Sequence, residues 1–173
     1  PLSTNSHAQA PDTSTPARLR AVGVENAIRH KPIETGALIS PAGTEIARRT
    51  GHGNRVSFPT YELLQASGAT FTHNHPGGTG PSVEDLKLAL EFQFHEVRVV
   101  TSRHRYMVWP LDRTQVFDVQ AEYDAEAAHV EPRLRDEVRC NQVRWNDFGE
   151  QLVHRVWQRM ANRLGFHYRR EES

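Results

Sequence analysis

Residues 69–92, "ATFTHNHPGGTGPSVEDLKLALEF", constrain the fold more than any other part of this chain. Ala69 to His75 read as a strand rising into a glycine loop. Pro76 and the glycines after it stop the strand and let the backbone turn sharply. Ser82 is a natural helix N-cap, and the helix that it opens runs through Leu86, Leu88, Ala89 and Leu90. The unit is therefore strand, turn, helix, with the start of the helix brought back toward the end of the strand. Residues two apart on a strand share a face, so His73 and His75 converge on one point while Asn74 faces away. Asp85, twelve residues beyond His73, lies in the first turn of the helix and drops onto the same point.

The sequence on either side alternates in the same way. "VENAIRHK" reads as a short helix stopped by Pro32, "ETGALIS" as a strand, "PAGT" as a turn and "EIARRT" as a second strand. "YELLQASG" is a helix with a glycine stop, and "EVRVVTS" with "RYMVWP" forms a hairpin. Interleaved strands and helices define an α/β class. Beyond this core the pattern turns helical. Phe148, Leu152, Val153, Val156, Trp157, Met160, Ala161 and Leu164 follow one helical stripe, with Asp147 as N-cap and Gly165 just past the end. Val119 to Val143 is a less regular helical stretch in which Pro132 allows a break. Residues 1–16 hold almost no large apolar side chain and read as a disordered linker. The expected division is linker 1–16, α/β core 17–112 and a helical extension 113–173 packed on that core.

Composition excludes several classes. A chain of 173 residues suits one domain. Lys plus Arg and Asp plus Glu are 21 each, so net charge gives no general reason to bind nucleic acid or an anionic membrane. No apolar run reaches membrane-spanning length. A single cysteine, Cys140, forbids an intramolecular disulfide framework and suits a reducing compartment. That thiol is expected to be a small buried residue.

Two neutral imidazoles and one carboxylate form a three-ligand set for zinc, His73, His75 and Asp85, and leave a fourth position for water. That is the arrangement of catalytic rather than structural zinc. Water held there has a pKa lowered to about 7. The plain alternative is that Ser82 and Asp85 only form a capping box at the helix start, with the histidines incidental to a surface turn.

"HNHPGGTGPSVED" resembles the signature of the JAMM metalloproteases, H-x-H, a Pro/Gly-containing linker, then S-x-x-D, and is especially similar to the bacterial branch that includes RadC-like proteins. The six-residue linker between His75 and Ser82 is shorter than the family's usual one by a single residue. The resemblance covers residues 20 to 110 and implies a mixed central sheet flanked by helices, a JAMM/cytidine-deaminase-like architecture, with one zinc ion and a catalytic water. It also implies an upstream glutamate where a helix leads into the first core strand. "KPIETGALIS" is similar, with Glu34 as the general base and the glycine, Gly36, one position early. Glu25 and Glu45 are less well placed. Ser82 takes the family's second role, helping to bind the oxyanion of the tetrahedral intermediate.

The function implied is a zinc-dependent peptidase or isopeptidase. Its substrate would be a protein or peptide, including ubiquitin or ubiquitin-like conjugates, and it would work in the cytoplasm or after delivery into a target-cell cytosol as a bacterial effector or toxin module. The alternative is a non-proteolytic RadC-like module in DNA metabolism or scaffolding. Arg48 to Thr60 and the segment after Trp109 are candidates to flank a substrate tail. His7, His30, His52, His95, His104, His129, His154 and His167 lack ligand spacing. Trp109, Trp145 and Trp157 read as packing residues, and Arg155, Arg159 and Arg163 as a solvated helix face.

Overall fold

Helix α1 (Pro16–Ile28) starts where its sequence can cap it: the Thr15 side chain accepts the Arg18 N–H, and Pro16 occupies the first turn, where no amide hydrogen is needed. This computed structural model describes residues 10–52, 55–109 and 117–173. After α1 come β1 (Thr35–Ile39), β2 (Glu45–Thr50), α2 (Thr60–Leu64), β3 (Thr70–Asn74), α3 (Val83–Glu91), β4 (Glu96–Val100) and β5 (His104–Trp109). Helix α4 (Val119–Arg139), a 3-10 turn (Trp145–Asp147), α5 (Phe148–Leu164) and β6 (His167–Glu172) complete the chain.

The strands form one sheet in the order β2-β1-β3-β4-β5-β6. Only β3 and β4 run parallel, joined through α3; the other neighbours are antiparallel. The chain is thus α/β with a mixed six-stranded sheet. Strand alternation splits the core in two. Leu38, Phe71, Val97 and Val108 face the side covered by α3, α4 and α5, where Trp157, Val156 and Met160 are fully buried. Ala37, Ile39 and Val100 face α1 and pack on Ala17, Ala21, Val24 and Ile28.

Several expectations need correction. The first helix begins at Pro16, well before "VENAIRHK". Of the expected linker, residues 1–9, with His7, lie outside the described residues. The described remainder is tied to the domain: Asp12 pairs with Arg18 at 2.7 Å and its N–H donates to Glu171 at 3.2 Å. The C-terminal extension is helical only to Leu164, after which β6 joins the sheet against β5. Pro132 does not divide α4, which runs unbroken through it. Cys140, at the end of α4, is exposed rather than buried. Trp157 packs as expected, but Trp145 is 66% exposed and stacks on Phe148 at the surface. Arg155, Arg159 and Arg163 are not merely solvated; they reach from α5 to Glu137, Glu126 and Glu122 on α4. Among the described residues no helix is long and apolar enough to cross a membrane.

Candidate metal centre

The site forms where β3 runs out. His73 is the fourth residue of β3, paired with Gly36 of β1 and Val99 of β4, and is wholly buried. His75 lies one residue past the strand, with its N–H still held by the Val100 carbonyl at 3.0 Å. Pro76 then starts a turn closed by the Gly78 N–H on the His75 carbonyl at 3.0 Å. Gly78 has φ 81°, a left-handed conformation that side chains disfavour. The chain returns through Thr79, Gly80 and Pro81 to Ser82. The shortened loop is supported from outside, because the Trp157 indole of α5 donates to the Pro81 carbonyl at 2.7 Å.

Ser82 and Asp85 do form a capping box. The Ser82 hydroxyl oxygen accepts the Asp85 N–H at 3.1 Å, and Asp85 Oδ2 accepts the Ser82 N–H at 2.7 Å. Capping does not exhaust the carboxylate. Asp85 Oδ1 lies 3.1 Å from His73 Nε2, and Oδ2 lies 3.6 Å from His75 Nε2. The two Nε2 atoms face each other at 2.9 Å. Glu34, on the segment leading into β1, approaches from the other side with Oε1 3.8 Å from His73 Nε2. The predicted residues Glu34, His73, His75, Ser82 and Asp85 therefore come together. Glu25 does not join them; it is buried on the opposite face of the sheet. Glu45 pairs with Arg20 and Arg48.

The donor set suits a cation. Glu34, His73 and His75 each present one ligand atom within 4.8 Å of the others and could hold a metal ion. Asp85 is nearer to His73 than Glu34 is, so the tighter group is His73, His75 and Asp85, with Glu34 as the outlying carboxylate. A tetrahedral ion with bonds of about 2.0–2.1 Å separates its ligand atoms by roughly 3.3–3.4 Å. The His73–His75 and His73–Asp85 Oδ1 separations, 2.9 and 3.1 Å, lie a little below that value, and the 3.6 Å contact of His75 is to the other carboxylate oxygen, Oδ2. The His75 tautomer agrees. The Nδ1 of His75 lies 3.0 Å from the Gly80 carbonyl and 3.2 Å from that of Thr79, so the proton sits on Nδ1 and Nε2 keeps its lone pair. His73 lacks such support: its Nδ1 is buried without a partner among the described residues, while its Nε2 faces the cluster.

The electrostatics follow from burial and crowding. Burial, reinforced by the charge of His73, pushes the His75 pKa down to about 4, so its ring is neutral at pH 7. Burial alone would raise the Asp85 carboxyl, but the neighbouring His73, then His75 and the Ser82 N–H, hold it well below the usual carboxylate range. His73 shifts upward because Asp85 outweighs the effect of burial. Glu34 also shifts upward, mainly through burial and partly through the Asp85 charge.

The site opens on a cleft of about 520 Å³. Glu34, His75, Ser82 and Asp85 line one part of it, and Val56, Phe58, Leu63, Phe71 and Leu88 supply an apolar lining. The expected substrate-flanking segment contributes Arg55 to Phe58 to this wall; residues 53–54 within it, and residues 110–116 after Trp109, lie outside the described residues. Asn74 is the residue whose part the sequence left unread. Its neighbours Lys31 and Thr35 belong to the segment that bears Glu34, and only the fold brings them together. Comparison of the chain with protein-family models, with curated proteins and with solved structures found no match.

Proposed function

We propose that this chain is a JAMM-like zinc peptidase or isopeptidase, which hydrolyses an amide or isopeptide bond by direct attack of water. The observation that carries the reading is the convergence of buried His73 and half-buried His75 with two carboxylates beside a cleft. The mixed sheet flanked by helices supports a JAMM-like architecture. His73, His75 and Asp85 would hold the zinc ion, which when bound supplies a Lewis acid and lowers the pKa of its water.

The remaining steps belong to the chain's own side chains. Glu34 takes the proton of the attacking water and returns it to the leaving amine; burial shifts its carboxyl upward from the ordinary value, the direction that strengthens a base. The Ser82 hydroxyl oxygen is engaged by the Asp85 N–H, which leaves its own hydrogen to donate to the substrate's developing oxyanion. Capping and oxyanion binding thus use different parts of one hydroxyl. An extended protein or peptide tail, of ubiquitin or a ubiquitin-like protein, is the substrate that we assign to the cleft, in the cytoplasm or a target-cell cytosol.

The test is metal analysis followed by incubation with linked ubiquitin chains, with and without a chelator. Bound zinc and chelator-sensitive cleavage support the reading, whereas a chain that takes up no metal would favour the scaffold alternative. Glu34→Gln should keep its zinc and lose about 100- to 10,000-fold in rate, the usual contribution of a general base. Full activity in that variant removes Glu34 from the mechanism.

A further inference from the structure

Asn74 stands between the two histidines, and strand alternation turns its side chain to the opposite face from theirs. There it is fully buried and bonded at both ends of its amide. Oδ1 accepts the Thr35 N–H at 2.7 Å, and Nδ2 donates to the Lys31 carbonyl at 3.1 Å. Lys31 and Thr35 bracket the short segment that bears Glu34. The β1–β3 ladder ends at the pair Gly36 and His73, so the Asn74 side chain supplies one further rung where backbone pairing has stopped. On its other side, the Glu34 carbonyl accepts the Gly51 N–H at 2.8 Å. Only glycine fits at that crossing, because a Cβ on Gly51 would lie 1.8 Å from the Arg55 carbonyl oxygen. Glu34 is therefore pinned on both flanks of its backbone.

We infer that Asn74 is the positioning residue of the site, fixing the Glu34 carboxylate against His73 and His75, an inference that rests on reading Glu34 as the base. The residue is placed so that one strand end sets both the metal ligands and the base. Any shift of β3 that moves the histidines carries Glu34 with it through the two amide bonds. The bland reading, a buried asparagine that only satisfies two backbone groups, predicts a stability loss with no special tie to Glu34.

A double-mutant cycle separates the two. Acetohydroxamate binding to the zinc-loaded chain, measured by calorimetry, reads the Glu34 carboxylate without turnover, because the ligand's acidic proton passes to a carboxylate beside the ion. Asn74→Ala and Glu34→Gln should each weaken binding about tenfold, and the double variant no more than Glu34→Gln alone. Zinc affinity should stay within about threefold of the wild type, since Asn74 touches no ligand atom. Where a cleavable amide is available, Asn74→Ala should lower kcat about 100-fold at unchanged KM. Asn74→Asp keeps the acceptor for Thr35 but loses the donor to Lys31, should fall between the two, and carries the cycle if the alanine variant does not fold. Additive losses in the double variant, undiminished binding in the single one, or loss of zinc from it overturn the inference. A wild-type chain that binds no zinc defeats the functional reading and this inference together. Zinc binding with a coupled cycle but no amide hydrolysis defeats the hydrolase reading alone and leaves the role of Asn74 intact.

Discussion

Two buried polar clusters lie back to back on the same strands, and only one of them is closed. On the α1 side, the two oxygens of Glu25 receive four donors: Thr72 Oγ1 at 3.1 Å, Arg98 Nε at 2.5 Å, Arg98 Nη2 at 3.2 Å and Arg105 Nε at 3.0 Å. Arg98 turns its remaining arm to Glu96, which also holds Arg18. Every carboxylate there meets a permanent cation. On the other side, two carboxylates meet two imidazoles, whose nitrogens face each other at 2.9 Å with no permanent cation between them. Neighbouring residues Thr72 and His73 belong one to each cluster. The closed cluster satisfies itself and positions α1; the open one could hold a proton or a metal ion. Burial of charge alone therefore does not single out the proposed site in this fold; its unbalanced donor set does.

That contrast can be broken by swapping which property each cluster controls. Glu25→Gln takes the carboxylate charge away from Arg98 and Arg105, both nearly inaccessible, and should cost about 3–5 kcal/mol in stability, as other broken buried ion pairs do. Its zinc affinity should be unchanged. His73→Ala and Asp85→Asn should do the reverse, weakening zinc binding by more than about 100-fold, since a lost ligand exceeds a lost outer contact. In the wild type, zinc at a thousand times its Kd should stabilise the fold by about 4 kcal/mol, an increment that the same zinc concentration should cut to about 1.4 kcal/mol or less in both ligand variants. Chemical denaturation with and without zinc reads all of these. Equal zinc stabilisation in Asp85→Asn would remove Asp85 from the ligand set and leave Glu34, His73 and His75 to hold the ion.

The strand–turn–helix unit was legible because its periodicity changes within a few residues, from alternation at Phe71 and His73 to helical spacing at Leu86 and Ala89. The histidine pair and Asp85 followed from that unit alone. Glu34 was found only through resemblance, since the contacts that place it, with Asn74 and Gly51, span the sheet. Glu25 reads locally as no more than a weaker base candidate, because its partners lie 73 and 80 residues away, beyond the reach of local pattern. Strand β6 escaped for a similar reason. "HYRREE" is mostly charged, and its strand character comes from pairing with β5 rather than from its own residues.

Between the clusters in consequence stands Trp157, which links α5 to the open cluster through the Pro81 carbonyl. Trp157→Phe leaves that buried carbonyl unpaired, at a cost of about 1–3 kcal/mol. The loop that it holds includes Gly80, whose carbonyl orients His75. Zinc affinity should therefore fall as well, by less than in the ligand variants. A destabilised Trp157→Phe with wild-type zinc affinity would confine α5 to packing and detach it from the site.

The smallest effect expected comes from a third set of charges, between α4 and α5, where buried Glu126 meets the half-exposed Arg159 and Arg163. Burial alone would raise the Glu126 carboxyl, but hydrogen bonds and charge from the two arginines lower it below its ordinary value of 4.5. A lowered folded pKa means that the unfolded chain binds the proton first. The stabilisation is thus complete above about pH 4.5 and is lost as pH falls through the folded value. Both arginines remain nearly half exposed, at 48% and 46%, so water and salt screen the pairs far more than those of Glu25. Glu126→Gln should lower Tm by only about 1–3 °C at pH 7. That gap should narrow as the pH falls through the folded value of Glu126, below which protonated Glu126 and glutamine become equivalent, and added salt should narrow it at neutral pH too. A gap that persists at low pH would mean that Glu126 acts through packing rather than charge, which would bring it closer in kind to the buried cluster on the α1 face.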